Sequence, residues 1–420
     1  MADESDGAGL VSGLRSPNET GRKYNDVLSN QIVIDWNYTA FEAAGGAAEP
    51  HTLLGSRSYA MMHIAIHDAL NAIVPVYESY IFQQQVPGAD PTAAVASAAY
   101  TVLKASWPGM EAMLDAKLAQ SLATVPAGAA KTAGIALGTA SGNAILALRA
   151  GDGAFQDPVG ALAPSTIPGV YVAVPPFDFA FAPFWKTMQL FSLQAQDQFR
   201  SAPPPSLISP AYTRDFNEVK DIGSINSTVR TAEQTAYGAW WYEYSDMGWN
   251  RIARTLAASE GTGLFETARM FALMNMAMAD GYIAGWDSKY YYNFWRPYTA
   301  IRAAAADGNP QTTADATWEP LLPTPPVPDY PSTHSVLGNA AATVLAHFYG
   351  THSPFTMTST TALPGHEERS FTNLKKAADE NADSRVIVGI HFRFATVAGQ
   401  KLGDEIARWT LQHQLEPLHY

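Results

Sequence analysis

Three short stretches of this chain carry the residue types needed to hold one tetrahedral oxyanion. The first reads Lys289-Tyr-Tyr-Tyr-Asn-Phe-Trp-Arg296-Pro297, and the second Pro331-Ser332-Thr333-His334. The third is Ser384-Arg385, with His391 six positions after the arginine. Each supplies cations, small hydrogen-bond donors or an imidazole within otherwise apolar sequence. Cations matched to oxyanion oxygens, with directional donors beside them, stabilise the charge that develops in group transfer at such a centre.

The elements that must position these groups follow from spacing. Lys289 and Arg296 are seven apart, about two helical turns, which predicts one face and a rise of about 10 Å between their Cα atoms. Pro331-Ser332-Thr333-His334 leads into Ser335-Val-Leu-Gly-Asn-Ala-Ala-Ala-Thr-Val-Leu, a run with helical character. Ser332 or Thr333 is then the expected N-cap, and the free amides of that first turn form an anion site. Arg385 and His391 lie about 120° apart around a helix, so the spacing does not put them on a shared face.

In this order, Lys-x6-Arg-Pro, Pro-Ser-x-His and Ser-Arg-x5-His resemble the motifs of a superfamily that joins vanadium-dependent haloperoxidases to type-2 phosphatidic-acid phosphatases. Trp286, Phe294-Trp295-Arg296-Pro297 and Pro325-Pro326-Val327-Pro328-Asp329-Tyr330 are most similar to the chloroperoxidase-type, bacterial haloperoxidases. The motif resemblance spans roughly residues 286–395. Weaker similarity reaches Met62-His63-Ile-Ala-Ile-His67-Asp68 and Gly248-Trp-Asn-Arg-Ile-Ala-Arg254.

The resemblance implies a site for vanadate, which phosphate can also occupy. Lys289, Arg296 and Arg385 would meet the equatorial oxygens, joined by Ser332 and the amide of Thr333. His391 would bind the metal through a neutral imidazole, or attack phosphorus as a nucleophile. His334 would act as acid–base on the opposite side, and Lys289 would polarise bound peroxide. Trp286 and Val327 would line the halide path. The implied activity is oxidation of halide by hydrogen peroxide to hypohalous acid, which then reacts with an organic acceptor. Two alternatives stay open: an acid phosphatase using His391 on phosphate monoesters, and a non-catalytic anion-binding homologue. The chain departs from the superfamily pattern twice. Thr333 stands where glycine is usual, and its branched side chain crowds the site. Ala395 stands where the phosphatase pattern His-x3-Asp has the carboxylate that steadies the imidazole, so whatever orients His391 must lie elsewhere.

Bland readings stand beside these. Lys289, Arg296 and Arg385 could pair with carboxylates such as Asp287 or Glu319. His63 and His67, four apart with Asp68 adjacent, could bind a metal, but they sit in a continuous apolar run without a third ligand, so packing is the favoured reading. The Met-rich segment 263–278 reads as core rather than as a cofactor box. His347, His352, His366 and His413 lie in no motif.

Composition bounds the rest. The 420 residues are 47% apolar and 15% charged, with a net charge of −13. That balance suits burial in a large core or against a second copy of the chain, and argues against a nucleic-acid surface. Cysteine is absent, which removes disulfides and thiol chemistry. No apolar run is long enough for a membrane span. The opening Met1-Ala-Asp-Glu-Ser-Asp-Gly lacks the basic and apolar regions of a signal peptide. Export stays open, with a secreted or periplasmic location favoured.

Helical periodicity runs through most of the chain, so the expected class is all-α, built from helix bundles. Residues 1–30 read as a polar arm. Residues 31–205 read as an N-terminal bundle with a Pro-rich, aromatic crossover loop, and residues 206–420 as a C-terminal bundle carrying the vanadate or phosphate site. Ala-rich helices at 90–122 and 127–150 suggest close helix–helix contact. Asp383-Ser384 is the expected cap of the last helices.

Overall fold

The computed structural model describes residues 28–418, so nearly all of the expected N-terminal arm lies outside the described residues. Helices dominate: α1 (Gln31–Ala43), α2 (Thr52–Ile73), α3 (Pro91–Ser106), α4 (Glu111–Ala123), α5 (Ala129–Leu148), α6 (Pro210–Ile222), α7 (Ala232–Trp240) and α8 (Ser245–Ser259). They continue with α9 (Leu264–Tyr292), α10 (Pro297–Ala303), α11 (Thr333–Tyr349), α12 (Leu374–Ile387) and α13 (Arg393–His413). The strands are short, pairing as two antiparallel ribbons: β1 (Val159–Gly160) with β2 (Ala180–Phe181), and β3 (Phe355–Thr358) with β4 (Glu368–Phe371). The all-α expectation holds. Among the described residues no helix is long and apolar enough to cross a membrane.

The chain divides into two compact units. One comprises residues to Asp152 with Asn250–Met276 and Thr410–Tyr420, and the other Gly153–Trp249 with Ala277–Trp409. The Pro-rich stretch after residue 152, which the sequence reading grouped with the first bundle, clusters with the second. Its backbone bonds explain this: Tyr171 N–H donates to Asn293 O (2.8 Å), Phe181 N–H to Pro326 O (2.7 Å), and Gly169 O accepts from Trp295 N–H (3.0 Å).

In the first unit the small residues do what their spacing suggests. Gly134, Gly138 and Gly142 recur every fourth residue on α5, and a Cβ on any of them would overlap α3. The helix expected over 90–122 is broken at Trp107-Pro108, where α3 ends and α4 begins after a 3₁₀ turn. His63 takes part in a buried polar network. Its Nε2 lies 2.8 Å from Asn37 Nδ2, which also donates to Asn250 Oδ1 (2.7 Å), and the ring stacks on Phe271 at 4.7 Å. His67 Nε2 is 3.0 Å from Glu78 O, while Asp68 accepts the amides of Tyr80, Ile81 and Phe82. These contacts tie down loops and neighbouring helices.

Burial, followed by the charge of Arg254, lowers the pKa of His63 to about 3. The folded protein therefore holds it neutral, while the unfolded chain takes up a proton below its ordinary value of about 6.5. Stability from this residue is complete above pH 6.5 and falls as pH drops toward the folded value. We expect His63→Gln to flatten the pH dependence of unfolding free energy between pH 6 and 4 by about 1.4 kcal/mol per pH unit. Denaturant titrations of both proteins across that range test this. An unchanged slope would show that His63 is not the titrating group.

Candidate active site

All three motifs lie in the second unit, joined by one aromatic core. Phe294 and Trp295 precede Arg296, Tyr330 precedes Ser332, and Phe392 follows His391; all four pack in a cluster with Tyr212 and Phe216. Tyr212 meets Phe294 at 6.4 Å and Phe392 at 5.6 Å, while Phe294 and Phe392 are 6.1 Å apart. Burying rings that flank each polar motif brings the motifs together. The backbone adds a direct tie, since Ser332 N–H donates to Ala395 O (2.9 Å). Gly399 and Gly403 let α13 lie against the start of α11, where a Cβ would overlap Ser332 O and Val336 O.

Lys289 and Arg296 converge, but not along one helix. α9 ends at Tyr292, Asn293 adopts a left-handed conformation (φ 46°), and Arg296 is the extended N-cap of α10 (φ −85°, ψ 158°). Pro297 enforces that extension on the residue before it, so the two-turn argument fails. What unites the pair is three successive carbonyls. Arg296 Nε donates to Val327 O (2.7 Å), and Lys289 Nζ donates to Pro328 O (2.7 Å) and Asp329 O (3.0 Å).

Arg296 also reaches the third motif. Its Nη1 donates to Ile390 O (2.7 Å) and lies 3.0 Å from His391 Nε2. Arg385 occupies the last turn of α12, and His391 sits in the turn beyond, whose amides at Ile390 and His391 donate to Arg385 O. Arg385 Nη1 donates to Trp241 O (3.1 Å), the carbonyl that lies 2.8 Å from His334 Nε2. His334 Nε2 therefore carries its proton. Asp287 and Glu319, the carboxylates considered as partners for these cations, are held instead by Arg200 and Arg302.

Ser332 is the N-cap of α11, accepting from Ser335 N–H at the long distance of 3.5 Å and from Ser335 Oγ at 3.2 Å. Thr333 opens the helix. The room for its methyl comes from Gly285 on α9, where a Cβ would overlap Thr333 Cγ2. Ser384, by contrast, is no cap: it lies inside α12 and donates to Asn381 O (2.7 Å), while Asn373 caps that helix. Trp286 Nε1 donates to Phe181 O (3.3 Å), and Phe181 N–H donates to Pro326 O. Phe181 thus lies between Trp286 and the segment carrying Val327, and both Trp286 and Val327 are buried.

The electrostatics suit an anion. Lys289, Arg296 and Arg385 are all buried. Burial first, and then Arg296, pushes Lys289 well below its ordinary value; burial likewise lowers Arg385 to about 10. Burial, reinforced by Arg296, Lys289, Arg385 and His334, keeps His391 neutral. Burial and Arg385 do the same for His334. Arg385 Nε is buried without a hydrogen-bond partner. Three buried cations, a donor left over and a neutral imidazole fit an oxyanion such as vanadate or phosphate.

The residue that sequence reasoning passed over is Asp329. It is fully buried, and its Oδ1 lies 2.9 Å from His391 Nδ1 and 3.9 Å from Arg296 Nη1. A carboxylate inside the apolar run Pro-Val-Pro-Asp-Tyr-Pro was the available signal, because an acidic side chain there must find a partner or stay unsolvated.

Comparison with known proteins sets this chain beside vanadium haloperoxidases. Residues 269–419 match the family model described as the VCPO second helical-bundle domain. The vanadium chloroperoxidase of Curvularia inaequalis is 26% identical over 495 residues, covering 89% of this chain and 79% of that protein. The crystal structure described as the first bacterial vanadium-dependent iodoperoxidase superposes with a TM-score of 0.79 at 24% identity, covering 93% of this chain and 98% of that one. This is the vanadium haloperoxidase fold. A holo-type bacterial vanadium-dependent chloroperoxidase shares it at a TM-score of 0.70 and 16% identity, over 86% and 91% of the two chains. The haloperoxidase resemblance read from the three motifs stands.

Proposed function

We propose that this chain is a vanadium-dependent haloperoxidase that uses hydrogen peroxide to oxidise halide to hypohalous acid, which passes to an organic acceptor. The observation that carries the reading is the convergence of Lys289, Arg296 and His391 on one buried locus, with Arg385 and His334 sharing the Trp241 carbonyl beside it. When bound, vanadate supplies the Lewis-acidic centre at which peroxide is activated toward halide. Arg296, Arg385, Ser332 and the first amides of α11 would hold the anion's oxygens. His391 would present the neutral imidazole to the metal. Lys289, fixed by two carbonyls, would polarise the peroxide, and His334 would exchange protons there.

One observation keeps a second reading in play. Ala395 argued against a phosphatase, because an unsupported imidazole is a poor nucleophile, but Asp329 lies at hydrogen-bonding distance from His391. Halide oxidation with vanadate and peroxide, measured beside p-nitrophenyl phosphate hydrolysis, separates the readings. Halide oxidation that requires vanadate supports the peroxidase. Ester hydrolysis that vanadate inhibits, without halide oxidation, supports the phosphatase. Neither activity leaves an anion-binding homologue.

Val327 lines the mouth of the site in this reading, with Trp286 across Phe181. An apolar mouth excludes water and strengthens the action of Lys289 on peroxide. Val327→His adds a proton donor there and is expected to change the ratio of bromide to iodide oxidation rates by several-fold, while vanadate affinity changes little. An unchanged ratio at saturating vanadate, or a loss of affinity that matches the loss of rate, would remove Val327 from the halide path.

A further inference from the structure

We propose that Asp329 is the positioning residue for His391, supplying from the Pro-rich loop the support that Ala395 cannot give. The inference rests on the reading of His391 as the residue that meets the metal. Ala395 is buried in the aromatic cluster with Phe294 and Phe392, so its helix position serves packing. Asp329 approaches from the opposite direction in the sequence. Its backbone is fixed at both ends: its N–H donates to Phe294 O (2.9 Å), and its carbonyl accepts from Lys289 Nζ (3.0 Å). The carbonyls of Val327 and Pro328 are held by Arg296 and Lys289. The two cations thus clamp the loop that aims the carboxylate.

The Nδ1 side of the imidazole sets its tautomer. Arg296 Nη1 lies 3.0 Å from His391 Nε2 and 3.4 Å from Nδ1, so the guanidinium rests against the ring and does not select the tautomer. An ionised carboxylate can only accept, so the proton of the neutral ring belongs on Nδ1, which faces Asp329 Oδ1 at 2.9 Å. Both Asp329 oxygens are buried with no well-aligned hydrogen-bond partner, His391 included, so both keep acceptor capacity beside Nδ1. Asp329 therefore fixes both the ring orientation and the nitrogen left free for a metal. Carboxylates that hold a ligating histidine in this way raise its basicity, and losing them typically lowers metal affinity about 10–100-fold.

The test compares two variants and one spectrum. Asp329→Asn keeps an oxygen that can accept from Nδ1–H; Asp329→Leu removes it while keeping the branch at Cγ. Vanadate titration should show the dissociation constant rising about 10–100-fold in Asp329→Leu and distinctly less in Asp329→Asn. Nitrogen-15 spectra of the vanadate-free full chain, assigned by the signal lost in His391→Ala, should show His391 protonated at Nδ1 in the wild type. Equal losses in the two variants, an unchanged affinity in Asp329→Leu, or an Nε2-protonated wild type would each overturn the proposal. If Asp329→Leu does not fold, the wild-type spectrum and Asp329→Asn still decide. A wild type that takes up no vanadate would sink the haloperoxidase reading alone, because the tautomer is read without it.

Discussion

His391→Ala should abolish stable vanadate incorporation while leaving weak binding of oxyanions. The substitution removes the neutral imidazole whose Nε2 faces the cations, which is the only link to the metal other than charge and hydrogen bonds in this reading. Arg296, Lys289 and Arg385 remain, and their charges still attract phosphate or vanadate. They are now joined by an Asp329 carboxylate whose contact on Nδ1 has gone, so the local field is less favourable to anions than in the wild type. The loss of vanadate affinity should exceed the roughly 10–100-fold expected for deleting a residue that merely supports a ligand. Titrating vanadate and phosphate against both proteins separates the two contributions. Vanadate affinity should collapse toward that for phosphate; equal vanadate affinities in mutant and wild type would show that His391 is not the ligand.

Much of this site was legible because its chemistry is concentrated in three short runs. The cations, the imidazoles and the N-cap serine each stand in a short run that folding keeps at one locus, even though the helical spacing read between Lys289 and Arg296 does not hold. The turn between Lys289 and Arg296 was also written in the sequence, since Pro297 forces its predecessor out of the helical region. That signal was outweighed by helical periodicity on both sides. Other features have no local signature. Thr333 is accommodated by Gly285, 48 positions earlier, and nothing near either residue announces the pairing. The meeting of His334 and Arg385 on the Trp241 carbonyl likewise depends on how α7 ends, at a place no motif marks. Asp329 lies between these cases: its type was informative, but its partner could be found only once the loop 325–330 was folded against His391. The fold class was legible for a different reason. Apolar periodicity reports burial element by element, whereas the partition of the Pro-rich segment depends on carbonyls and amides that every residue carries alike.

Arg296→Ala should be the most destabilising single change at the site. The guanidinium is almost fully buried and satisfies Val327 O and Ile390 O, each at 2.7 Å. It also lies 3.9 Å from the Asp329 carboxylate, which burial has already raised to about 7 against the pull of Arg296 and Lys289. Truncation strands two carbonyls and leaves that carboxylate with a single nearby cation. Deleting one partner from a buried charged network of this kind costs about 3–5 kcal/mol. Arg296→Lys keeps the charge but cannot span both carbonyls as the fork does, so about 1–3 kcal/mol is expected. Denaturant unfolding in phosphate-free buffer gives these differences directly. Repeating it in phosphate adds a second reading, because a ligand that binds only the folded state stabilises it by RT ln(1 + [L]/Kd). The gap between wild type and Arg296→Ala should therefore widen with phosphate if Arg296 both holds the loop and binds the anion. A gap that stays constant would assign Arg296 to structure alone. A loss below about 1 kcal/mol without phosphate would show that the loop carrying Asp329 is held by Lys289 and the aromatic cluster instead.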